Sequence, residues 1–242
     1  MRIISEKADL FQLIPSLETL IINDTIVGRS GNVRKITVTS TINNIVVIAN
    51  LMNEMQATQT LEVGMAYGTS ALTFCAMHSN LNLQQPRHTA IDPFELSVYD
   101  DCGVLNIERA NLGKYLKVYY ERSCLVLPQL ISQREIYDLI YIDGSHLFED
   151  VFLDVYFGMR LLRPGGVILI DDSSDPRISK VISFARKNLL TSIEEIDLSP
   201  YRLPGQVSLK YYLAKQLGRT QLTGFRITGQ VDRPYGTPLI NF

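Results

Sequence analysis

The sequence predicts a doubly wound α/β domain, and three observations carry that prediction. Short apolar runs bounded by turn residues recur at 60–63, 88–91, 116–120, 139–142 and 167–170, the form that buried parallel strands take. Helical patterns alternate with them at 70–77, 107–112, 125–131 and 151–162, the last with Val151, Val155, Met159 and Leu162 on one face. Two glycines, Gly64 and Gly68, follow the first run at once, where the chain must turn tightly into a helix.

Before the first run, Thr39, Ser40 and Thr41 supply cap residues for a helix reaching about Glu54. An earlier amphipathic segment over 8–22 breaks at Pro15. After Asp172, Pro176 opens a helix to about Asn188, and residues 224–229 have a strand-like pattern. A chain of 242 residues is expected to form one domain, with 1–56 as a helical cover, 57–200 as the core and 201–242 as strands and loops. Tyr201, Tyr211, Tyr212, Phe225 and Tyr235 are candidates for an aromatic site, for core or for an interface.

The formal charge of −2 and scattered Lys and Arg residues argue against nucleic acid as a partner. Cys75, Cys102 and Cys124 lie far apart with no CxxC pair, so neither a disulfide framework nor a thiolate zinc site is expected, which fits a reducing cytoplasm. No apolar run approaches the roughly 18 residues of a membrane span, and acidic residues begin too early for a signal peptide. The expected partner is a small molecule rather than a membrane, and a homodimer is expected on general grounds only.

The turn from Glu62 through Gly64 and Gly68 lets a ligand approach the backbone. A dinucleotide fingerprint would need glycines at 64, 66 and 69, but Ala66 and Thr69 stand at the last two. The second apolar run ends in Asp92-Pro93, placing a carboxylate 24 residues after Gly68, where it can accept both hydroxyls of a ribose. The plainer alternatives are a strand-to-helix turn capped by Ser70 and a Pro-containing turn at Asp92.

Three further carboxylates, Asp143, Asp171 and Asp172, end the fourth and fifth runs, separated by 28 and 29 residues, the spacing of one strand, one crossover helix and the next strand. They emerge at the ligand-binding edge of a doubly wound sheet. Hard oxygen ligands without a cysteine suit a divalent cation, magnesium first, better than zinc. Helix caps at each position are the structural alternative. His146 lies three residues after Asp143 and can take a proton from an acceptor near neutral pH, or serve as a surface residue at a helix start. Asp143 and His146 are thus the catalytic candidates. Glu149, Asp150 and Asp154 are assigned to the helix dipole and left outside the site.

The run Glu62-x-Gly64-x-x-x-Gly68-x-Ser70 resembles the motif of class I S-adenosylmethionine-dependent methyltransferases. The resemblance implies a Rossmann-like, mostly parallel seven-stranded sheet with an antiparallel last strand and helices on both faces. It also implies a methyl-donor site at Glu62, Gly64, Ala66, Tyr67, Gly68 and Ser70, with Ser70 on the donor's carboxylate, joined by Asp92, Ser123 and Asp143. Across 59–172, the signatures Ile142-Asp143-Gly144-Ser145-His146, Leu162-Arg163-Pro164-Gly165-Gly166 and Asp171-Asp172 are similar to those of metal-dependent O-methyltransferases of the macrocin and catechol types. Catechol-type enzymes usually carry Asn at the second position of the last pair and a lysine at the position of His146. The double Asp resembles the macrocin type. Ser123 matches the adenine-contacting serine of the catechol type, whereas Cys124 and Leu125 replace polar residues there. The expected chemistry is methyl transfer to a hydroxyl. A metal-independent methyltransferase, an NAD(P)-dependent oxidoreductase and a non-catalytic binding protein of the same fold are the alternatives.

Overall fold

The computed structural model describes residues 3–189, 191–216, 220–229 and 231–242. Seven strands form one sheet: β3 (Gln59–Val63), β4 (Arg87–Ile91), β5 (Leu116–Tyr119), β6 (Tyr137–Ile142), β7 (Leu162–Ile170), β8 (Ile193–Glu195) and β9 (Thr223–Ile227). Their order is β5-β4-β3-β6-β7-β9-β8, and β9 runs antiparallel to both of its neighbours. The expected sheet, including its antiparallel last strand, is therefore present. A separate two-stranded hairpin, β1 (Thr25–Val27) and β2 (Val33–Lys35), precedes it.

Side chains alternate across each strand, and the two faces bury different helices. Leu139 and Tyr141 of β6, with Val167 and Leu169 of β7, join a core built with α3 (Ile42–Met55), α4 (Thr69–Leu81) and α5 (Cys102–Arg109). Ile140, Ile142, Ile168 and Ile170 join the other, built with α6 (Ser123–Ser132), α7 (Phe148–Leu161) and α8 (Pro176–Asn188). The remaining helices are α1 (Lys7–Leu13), α2 (Pro15–Asn23) and α9 (Leu209–Gln216).

Thr41 starts α3 by accepting the Asn44 N–H, and every residue from Asn44 to Met52 is buried, so this helix is a core element. Asn50 on it accepts the Ile4 N–H at 2.8 Å and donates to the Ile4 and Tyr201 carbonyls, tying the segments at Ile4 and Tyr201 to the core. The pattern over 107–112 predicts a helix that the structure moves toward the N-terminus. α5 starts at Cys102, behind Asp101 at φ 56°, and Asn111 at φ 60° is incompatible with its continuation.

Crossovers run from β3 outward through β4 to β5, and then the chain returns to place β6 on the other side of β3. The crevice at the carboxyl ends of β3 and β6 is the switch point where ligands bind in such sheets.

Candidate active site

A cavity of about 460 Å³ opens at this switch point. Its wall includes the β3–α4 turn, the tips of β4, β6 and β7, the N-terminus of α6 and the segment leading into α3. The turn is shaped by close backbone approach. Gly64 has φ +89°, and a Cβ there would sit 2.2 Å from the Asp143 carbonyl oxygen. Gly68 has φ +78°, and its Cβ would meet Gly103 Cα at 2.6 Å. Neither position admits a side chain without strain.

Asp92 is 4 % exposed and holds the turn from the side. Its Oδ2 accepts the N–H groups of Met65 at 3.0 Å and Ala66 at 2.9 Å, and its Oδ1 accepts that of Phe94 at 2.8 Å. Gly64, Ala66, Ser70, Asp92, Ser123 and Asp143 all line the cavity. Tyr67 and Gly68 lie behind the wall, and Tyr67 packs edge-on to Tyr99. Glu62 is fully buried beneath the turn, 3.2 Å from His88 Nε2, and burial pushes its carboxyl up to about 8. His88 and His78 each hydrogen-bond the Thr60 hydroxyl at 2.9 Å, and burial pushes both imidazoles down to about 3, so both are neutral.

The acidic edge is crowded. Asp143, Asp171 and Asp172 line the same cavity. The Tyr141 hydroxyl lies 2.5 Å from Asp171 Oδ2 and 3.0 Å from Asp143 Oδ2. Ser40 donates to Asp143 at 3.1 Å, and the Asn44 amide lies within 2.9 Å of both Asp171 oxygens. The Gln221 amide donates to Asp171 and Asp172, and His146 Nε2 lies 3.1 Å from Asp172 Oδ2. Burial, then the charge of Asp171, raises the Asp143 carboxyl far above the usual carboxylate range. Burial, then the charge of Asp172, raises Asp171. Tyr141 is raised by burial and by both acids. Among the described residues, no three His, Cys, Asp or Glu side chains converge closely enough to enclose an ion.

Asn44, Tyr141 and Gln221 are site residues that the sequence reading does not reach, and Asp150 and Asp154, which it leaves to the helix dipole, also line the cavity. Tyr141 had a signal, since it sits on β6 two residues before Asp143, which directly follows the strand, and the two-residue alternation puts both on one face. Asn44 and Gln221 come from elements distant in sequence, and no local pattern marks them. None of the five candidate aromatics lines the cavity: Phe225 is core, Tyr201 bonds Glu54, and Tyr235 is fully exposed.

Residues 61–173, just under half of the chain, match the model of a family described as a methyltransferase domain. The chain is similar over 88 % of its length to a solved O-methyltransferase from Bacillus cereus in complex with SAH, at 18 % identity, 90 % coverage of that chain and a TM-score of 0.62. It is also similar over 90 % of its length to the O-methyltransferase TomG from Streptomyces achromogenes, involved in tomaymycin synthesis and solved with SAM. There the identity is 16 %, the coverage of that chain 89 % and the TM-score 0.61. A curated relative, the uncharacterized protein R132 of Acanthamoeba polyphaga mimivirus, is 27 % identical over 97 residues, which are 40 % of this chain and 43 % of that protein. The chain thus matches less than half the length of that relative.

Proposed function

We propose that the protein transfers the methyl group of S-adenosylmethionine to a hydroxyl oxygen of a small molecule of sugar or phenolic type. What supports this reading is one juxtaposition: a glycine turn with a ribose-type carboxylate and a three-carboxylate edge face the same cavity. In it, the N-terminus of α4 at Ser70 takes the donor's carboxylate, where backbone N–H groups and the helix dipole favour an anion. Asp92 accepts the ribose hydroxyls while its bonds to Met65 and Ala66 keep the turn in place. Ser123 borders the adenine end.

The donor supplies an electrophilic sulfonium methyl. The acceptor oxygen bonds to that carbon as the carbon–sulfur bond breaks to a neutral thioether, and the acceptor's proton leaves to a base. His146, at the cavity wall and next to Asp172, takes that proton in this account. Holding oxygen, carbon and sulfur in line can supply roughly 7 to 11 kcal/mol of the barrier.

The oxygen chemistry of the acidic edge suits a divalent cation, magnesium first, although its three carboxylates do not converge on one point among the described residues. Its ligands are hard oxygens, and among the described residues the buried Asp143 and Asp171 are bonded by hydroxyl, amide and backbone donors rather than by an ammonium or guanidinium group. Asp143, Asp171 and Asp172 would hold the ion, which would lower the pKa of the acceptor hydroxyl. One observation favours a metal-independent variant of the same reaction: Asp171 already accepts from Asn44, Tyr141, Gln221 and the Asp172 N–H.

Methyl transfer from labelled donor to hydroxyl acceptors, with and without a chelator, tests both. Turnover lost on chelation, restored by Mg²⁺ and abolished in Asp172→Ala with donor binding intact is the expected result. Turnover indifferent to chelation selects the metal-independent variant. Donor binding without transfer to any sugar or phenolic hydroxyl contradicts the reaction.

A further inference from the structure

Between β4 and α5 the chain makes the loop 92–101, and Asp92, Phe94 and Tyr99 of this loop line the cavity. Both of its ends bear on the glycine turn. Asp92 bonds the Met65 and Ala66 N–H groups at its start, and Gly103, just past its finish, abuts Gly68. Tyr99 packs edge-on to Tyr67 of the turn, with ring centroids 5.1 Å apart. Inside the loop, the buried Glu95 accepts the Gly103 N–H at 2.9 Å through its side chain and the Asp101 N–H at 2.8 Å through its carbonyl.

The end of this loop is strained. Asp100 and Asp101 both lie in the left-handed region, at φ 55° and 56°. An Asp tolerates that conformation singly, and two in succession need support from outside. The support comes from the β1–β2 hairpin, distant in sequence. Arg29 Nε and Nη2 donate to Asp101 Oδ2 at 2.8 and 2.6 Å, and the Arg29 backbone N–H donates to the Asp100 carbonyl at 2.8 Å. Ser30 donates to the Asp100 carboxylate from its N–H and its hydroxyl, and Arg34 Nε lies 3.6 Å from it. Gly28 leaves room for that carboxylate, since a Cβ there would lie 2.2 Å from Asp100 Oδ2. Asp101 is only 5 % exposed, so loss of the guanidinium leaves a nearly buried carboxylate oxygen undersatisfied.

We propose that the β1–β2 hairpin clamps the donor site through this pair of left-handed residues, with Arg29 as the positioning residue. This rests on the donor site proposed above. Arg29 lies outside the cavity wall and acts through Asp101, which fixes where Tyr99 and Gly103 stand against the turn. Without the clamp the loop relaxes out of its strained conformation, and binding must restore it. Affinity then falls by the fraction of molecules that have the loop in place.

The test is calorimetric titration of S-adenosylhomocysteine at a temperature where thermal melting shows each variant folded. Arg29→Met keeps the apolar stem without the donors and is expected to weaken binding about fivefold or more. Arg29→Lys keeps the charge but not the planar fork that spans Asp101 and Glu108, and is expected to fall between. Lys35→Met removes an exposed ion pair with Asp24 at the other end of the hairpin. It is expected to bind within about twofold of the wild-type protein, whatever its melting temperature. Wild-type affinity in Arg29→Met overturns the proposal. So does an equal loss in Lys35→Met, which would trace the effect to general loosening of the hairpin. Where Arg29→Met does not fold, wild-type affinity in Arg29→Lys overturns it in the same way. Failure of the wild-type protein to bind the probe removes the donor site itself and this inference with it.

Discussion

Tyr141 is wholly buried, yet its hydroxyl ends between two carboxylates. A phenol donates one proton, so the remaining acid oxygens depend on Ser40, Asn44 and Gln221. Asn44 matters most to stability, because its amide faces both oxygens of a buried carboxylate. Asn44→Ala is expected to cost about 1 to 3 kcal/mol, read as a lowered midpoint in urea, by leaving Asp171 undersatisfied. Beneath the glycine turn, the sign of pH dependence follows from burial. His88 is depressed to about 3, so its contribution is present above the unfolded histidine value near 6.5 and lost as pH falls through the folded value. Glu62 is raised to about 8, so its contribution is present below the unfolded value near 4.5 and lost as pH rises toward 8. The thermal midpoint of His88→Gln should therefore fall less steeply between pH 6.5 and 4 than that of the wild-type protein. An equal slope would show that His88 protonates freely in the folded state. Asp143, Asp171 and Asp172 could be located from sequence because they end strands. Asp154 could not, since an acid in the first turns of a helix looks the same whether it faces solvent or a cavity.

At the scale of elements, the β3–α4 turn is fixed by contacts that leave no room for a side chain. Gly64→Ala would drive a methyl group into the Asp143 backbone at φ +89°. It is expected to cost about 3 kcal/mol or more, or to yield no folded protein, as judged by thermal melting. A fully stable Gly64→Ala protein would show that the turn is looser than described. Strands β3, β4, β6 and β7 were legible because each is an apolar run that both faces bury, and the half-buried edge strand β5 was legible from its apolar run alone. Helices α3 and α8 were legible from Thr41 and Pro176. The β1–β2 hairpin was not. Its strands have three residues each with partly exposed faces, and it is held by distant partners: Arg29 on Asp101 and Glu108, and Arg34 on the Val98 carbonyl and Asp100. Such contacts leave no periodicity in the hairpin itself. Strand β8 is equally short and, among the described residues, pairs with β9 alone.

At the scale of the whole molecule, two cores on opposite faces of one sheet leave the carboxyl ends of β3 and β6 as the crevice between them. The N-terminal segment and Gln221, from outside the matched domain, complete that crevice. No helix among the described residues is long and apolar enough to cross a membrane. The central claim is that this crevice binds S-adenosylmethionine, with Asp92 holding both the turn and the ribose. Calorimetric titration of S-adenosylhomocysteine into the wild-type and Asp92→Ala proteins, with and without Mg²⁺, tests it most directly. Micromolar binding by the wild-type protein and at least a tenfold loss, about 1.4 kcal/mol, in a folded Asp92→Ala are expected. No binding by the wild-type protein under either condition, or unchanged affinity in the variant, would contradict it.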